Sequence, residues 1–151
     1  MTEIESTDVV RALEEQGLNV RAISPRLWAV PFDVEGVKKE VLLFISANDY
    51  FGMVSPIDSP QLTSKPSGVT HQTLVTLLEV SSSVPLAKVD FQLLETDKGD
   101  GEQFLYSALS YCSVLAWSGE KLRIRMRDVA VLAVKTEAAL SRALAAPAAA
   151  R

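Results

Sequence analysis

The chain reads as a single α+β domain, an antiparallel sheet packed with helices in the order α-β-β-β-β-α-β-β-α. Three observations predict it. A short apolar pattern of helical period opens the sequence. Four strand-like runs separated by turn residues follow. From Thr70 to Leu144 a helix, two strands and a long last helix complete the order. At 151 residues and 48% hydrophobic content, one core is expected to serve the whole chain.

Ser6 or Thr7 can cap a first helix carrying Val9, Val10 and Leu13 on one face, and Gly17 is a natural stop. Leu18 to Ile23 reads as a strand, and Ser24-Pro25-Arg26 as a tight turn. Trp28, Val30, Phe32 and Val34 alternate with Ala29, Pro31 and Asp33, the period of a half-buried strand. Pro31 has no amide donor, which places this strand at an edge or gives it a bulge. Glu35-Gly36 is the next turn. Val41 to Ile45 is apolar on both faces, as in a strand covered on two sides. Ala47-Asn48-Asp49 then turns the chain into Tyr50 to Val54.

Pro56 to Gly68 is rich in Ser, Pro and Gly and reads as a loop. Thr70 opens a second helix with Leu74, Leu77 and Leu78 at helical spacing, ended by Ser81 to Pro85. Lys88 to Leu93 alternates, Asp97 to Gly101 supplies a hairpin turn, and Phe104 to Leu109 returns. Ser118 can cap the last helix, from about Gly119 to Leu144, with Leu122, Met126, Val129, Ala133 and Leu140 at helical spacing. Residues 121–127 also alternate with period two, so a strand there is an open alternative. The end beyond Leu144 is expected to fray, leaving order from about residue 7 to 144.

Composition sets limits on function. A net charge of −4 argues against general nucleic-acid affinity, which needs a basic surface. One cysteine excludes an intramolecular disulfide and suits a reducing compartment. Glu3, Glu5 and Asp8 occupy the place of a cationic leader, and no apolar stretch approaches the roughly 20 residues that span a bilayer. A cytoplasmic protein without membrane contact is expected.

Chemistry-bearing residues are sparse. His71 sits in the first turn of a helix with no partner beside it in sequence, and Cys112 has no neighbouring cation to activate its thiol. Asp97 to Glu102 lacks the ligand spacing of a calcium loop. No catalytic residue, metal or cofactor is therefore expected. Two features suggest contact surfaces instead. Trp28, Phe32, Tyr50, Phe51 and Met53 lie on the four-strand meander; most are expected in the core, where large rings bury the greatest area, and those left on an uncovered sheet face would present an apolar patch to a partner or a second copy. Lys121, Arg123, Arg125 and Arg127 form a basic cluster that could meet an anionic partner.

The element order, and above all the run Leu77-Leu78-Glu79-Val80-Ser81-Ser82-Ser83-Val84-Pro85-Leu86-Ala87-Lys88-Val89-Asp90-Phe91, resembles the YbjN-like branch of the type III secretion chaperone-like fold. There a helix ends in a short polar segment, an apolar-proline step follows, and a strand turns towards the core. Three serines stand here where that family often has asparagine. The resemblance implies a homodimer that binds a protein client without chemistry of its own, in a chaperone-like or regulatory role linked to stress responses. A nucleic-acid-associated accessory factor using residues 121–127 is the alternative.

Overall fold

The computed structural model describes residues 4–57, 71–95 and 102–145. The expected loop after Pro56, the turn at Asp97 to Gly101 and the terminal tail lie outside the described residues, except for Pro56 and Ile57. The elements are α1 (Ser6–Glu15), β1 (Arg21–Ser24), β2 (Leu27–Val34), β3 (Val37–Ile45), β4 (Tyr50–Pro56), α2 (His71–Ser82), β5 (Lys88–Glu95), β6 (Glu102–Ser113) and α3 (Gly119–Ala145). A single 3₁₀ turn, Val114–Ala116, links β6 to α3. This is the predicted order. The six strands form one antiparallel sheet, β1-β2-β3-β4-β6-β5, so α2 carries the chain past β6 to the far edge.

Gly17 ends α1 as expected, at φ 80°. Its N–H donates to the Glu14 carbonyl while the Leu18 N–H reaches back to Leu13, the paired bonds of a Schellman motif. Leu18 is thereby committed to the helix end, and β1 begins only at Arg21. The predicted serine or threonine cap is corrected. Glu5 holds the cap position with no side-chain bond. Ser6 Oγ instead accepts the Trp28 indole N–H at 2.9 Å. A fully buried tryptophan needs such an acceptor.

Glu35 and Gly36 both have positive φ, the requirement of a two-residue type I′ hairpin. Asp33 Oδ1 accepts the Gly36 N–H at 2.9 Å. The turn sets the register, with Val34 opposite Val37 and hence Trp28 opposite Leu43. Pro31 lies one place inside the edge strand, but β1 reaches no further than Ala29. The Arg26 carbonyl bonds across to Ile45, so alternation turns the backbone of Pro31 away from β3 to this free stretch. Its missing donor costs the ladder nothing.

The core lies between one sheet face and the helices. Trp28, Val30, Val41, Leu43, Phe51, Met53 and Ala108 are buried against Val9 and Leu13 of α1, Leu77 of α2 and the inner stripe of α3. Residues 121–127 are helical, which settles that segment against a strand. The Lys121 N–H donates to Ser118 Oγ at 3.1 Å, the predicted cap. At 27 residues α3 is about 40 Å long, and it packs on five of the six strands. Its first residue, Gly119, meets α1 so closely that a Cβ would stand 2.5 Å from the Ala12 carbonyl oxygen.

Candidate protein-binding surface

Strand register sorts the sheet into two faces. Inward residues pair across the sheet as Trp28–Leu43–Met53–Ser110. The opposite face carries the row Leu27–Phe44–Gly52–Tyr111 and, beside it, Ala29–Leu42–Val54–Leu109. Among the described residues no helix covers this second face. Leu27, Leu42, Phe44 and Val54 are half-buried and Ala29, Gly52 and Leu109 buried, while Tyr50 and Tyr111 are each 49% exposed at one end. The expectation that Val41 to Ile45 is covered on both sides is corrected: Val41 and Leu43 are sealed, Leu42 and Phe44 are not.

Gly52 shapes the patch. The Phe44 ring lies over it in the space a side chain would fill. The outer face thus presents aromatic and aliphatic surface without a ridge at its middle. At its margin Arg21 and Glu40 form an exposed ion pair at 3.4 Å. An apolar centre with a charged rim is the anatomy of a protein interface.

Of the five residues expected at such a surface, only Tyr50 is there. Trp28, Phe51 and Met53 are fully buried and Phe32 nearly so, all on the helix-covered face. For these four the surface reading is corrected and the core reading stands, because large rings lose the most contact with water on the face that α1 and α3 close. The patch residues Leu27, Leu42, Phe44, Gly52, Val54 and Tyr111 were open to discovery through the Glu35-Gly36 turn. A two-residue hairpin fixes which residues of β2 and β3 share a face.

The basic cluster does not act as one stripe. Lys121 Nζ donates to the Ala116 carbonyl at 3.0 Å, Arg123 Nε to Gln16 Oε1 at 3.0 Å, and Arg125 Nη1 lies 3.5 Å from Ser110 Oγ. Arg127 is exposed. Three of the four cations thus face different neighbours: a loop carbonyl, α1 and β6. Cys112 is a free, buried thiol on the inner face opposite Phe51. His71 opens α2, and its side chain lies outside the described residues. Burial raises the pKa of Tyr106, which faces the core from β6. Among the described residues no three His, Cys, Asp or Glu side chains gather as a metal ion would need, and no helix is long and apolar enough to cross a membrane.

No protein-family model matches the sequence, and no curated protein matches it significantly. The crystal structure of an uncharacterized protein from Methanothermobacter thermautotrophicus is similar to this chain. The two share 13% identity and a TM-score of 0.58, over 92% of this chain and 99% of that one. At that identity the likeness shows a common fold: a single antiparallel six-stranded sheet with three helices.

Proposed function

We propose that this chain is a non-catalytic protein-binding module of the YbjN-like, type III secretion chaperone-like class, acting in the cytoplasm as a homodimer on a protein client. One observation carries the reading. The sheet face bearing Leu42, Phe44, Val54 and Tyr111 is apolar, contiguous over four strands and free of helical cover among the described residues. Contiguous apolar surface left in part open to water is costly and marks sites of association. Two copies pairing through this face would bury both patches and leave the helix side of each for a client.

Sedimentation velocity of the wild type and of Leu42→Lys and Tyr111→Lys tests it. Both positions touch the outer face alone, so the variants should fold normally and sediment as monomers where the wild type is a dimer. A wild type that stays monomeric at tens of micromolar, or variants that still dimerise, would remove the basis of the proposal. If instead the protein co-purifies with nucleic acid that salt strips away, the cations at 121–127 become the better reading.

A further inference from the structure

We infer a second site, distinct from the sheet face, that accepts an extended peptide segment in which a large apolar side chain is flanked by lysine or arginine. At one end of the sheet the turns after β1 and β3, the first turn of α1 and the segment after β6 enclose a cleft of about 840 Å³. That lies within the range of functional binding pockets.

The floor is apolar. Ile45, Val114 and Trp117 line it, each only partly buried. The Trp117 ring packs on the core at Phe51, with centroids 5.5 Å apart and planes tilted by 55°. Leu115 stands at the mouth with 82% of its surface exposed, the largest value among the exposed large apolar residues described. Water gains nothing from such a leucine, whereas an apolar side chain entering the cleft would cover it.

The charge around the floor is one-sided. Glu5 and Asp8 reach the cleft from α1 and Asp49 from the turn after β3. Arg26 is the one cation among the described lining residues, and its guanidinium donates to the Ser46 carbonyl at 3.3 Å. Three carboxylates against one engaged guanidinium give a field that draws cations in and repels acidic segments. The partly buried Trp117 adds an aromatic ring that can attract a cation. Apolar floor and acidic lining together demand both groups on neighbouring positions of one backbone, as a basic, leucine-like peptide segment provides. This inference rests on the protein-binding reading in taking the occupant to be a peptide. It does not depend on the outer-face dimer.

The test is calorimetric titration of the full chain with the peptide acetyl-Arg-Leu-Lys-Leu-Arg-amide at moderate salt, with tryptophan emission followed in parallel. Two control peptides replace the basic residues by Glu or the leucines by Ser. The basic apolar peptide should bind and shift the emission, and both controls should fail. The neutral variant Glu5→Gln/Asp8→Asn/Asp49→Asn should weaken binding on the order of tenfold, the summed effect of three exposed charge contacts. Leu115→Ser alters no charge and should weaken it as well. Absence of binding to the basic peptide, equal binding of either control, or unchanged affinity in both variants would overturn the inference. Peptide binding by a chain that stays monomeric would support the cleft while sinking the sheet-face dimer. A dimer that ignores the peptide would do the reverse.

Discussion

The ring of Phe44 occupies the space above Gly52 that any side chain there would need. The two residues face each other across β3 and β4 on the open side of the sheet. A glycine within a strand loses conformational freedom for no packing of its own, so its neighbour must justify it. Here it lets a large ring lie flat and complete the apolar patch.

The sign of Gly52→Ala should therefore depend on Phe44. In the wild type the added methyl drives the ring into solvent, and a loss of about 1 kcal/mol is expected in urea unfolding. With Phe44→Ala already present the space is empty. The same substitution should then stabilise by roughly 0.5 kcal/mol, as alanine usually does over glycine in a strand. Equal effects in both backgrounds would mean that the ring does not rest on Gly52.

The Ser6–Trp28 hydrogen bond supports a second double-mutant cycle. Ser6→Ala leaves a buried indole N–H without its acceptor and should cost about 1–2 kcal/mol. After Trp28→Phe there is no N–H to satisfy, and Ser6→Ala should then cost less than about 0.5 kcal/mol. Guanidinium melts of the four proteins provide the numbers. A full-sized loss in the Trp28→Phe background would assign Ser6 to helix capping instead.

Much of this architecture is legible in the sequence, because Gly17, Glu35-Gly36 and Ser118 each announce an element boundary through a local hydrogen-bonding demand. What stays hidden is orientation. Alternation in β2 shows that the strand has two faces, the unbroken apolar run of β3 conceals its own, and aromatic content draws attention to Trp28 and Phe51. Only the hairpin register shows that these belong to the covered face and that Leu42 and Phe44 remain outside. The Ser6–Trp28 bond and the approach of Gly119 to Ala12 join residues far apart in the chain, so no local pattern betrays them.

Gly119→Ala tests that approach. The obstacle is the backbone carbonyl of Ala12, which cannot swing aside as a side-chain tip could. Alanine favours a helix by about 1 kcal/mol over glycine in a helix interior, yet here the contact between α1 and α3 must open. A net loss of about 2 kcal/mol is expected, read as a lower denaturation midpoint. A neutral or stabilising result would show that α1 can shift freely on α3.

Burial pushes the Tyr106 hydroxyl above its ordinary value of 10.0. The folded state therefore holds the neutral phenol more firmly than the unfolded chain does. This contribution is complete below about pH 10 and is lost as pH rises through the raised folded value. Tyr106→Phe has no proton to lose, so its stability should fall less steeply over that alkaline window. Identical alkaline profiles for the two proteins would remove burial of this phenol from the account.

Lys39 and Glu137 form an ion pair between β3 and α3 with only 13% and 21% of their side chains exposed. Lys39 faces inward opposite Phe32, so the pair closes the core where the β2–β3 hairpin passes under the last helix. Breaking a partly desolvated pair from one side takes the counter-charge from a carboxylate in a poor solvent. Lys39→Met should accordingly cost about 2 kcal/mol, somewhat less than a fully buried pair because water still reaches both groups. Lys39→Met/Glu137→Leu removes both charges while keeping their apolar stems, and most of that loss should return. A double variant as unstable as the single one would show that the pair is wanted for its attraction; recovery would show that its chief role is to give each charge its counter-charge.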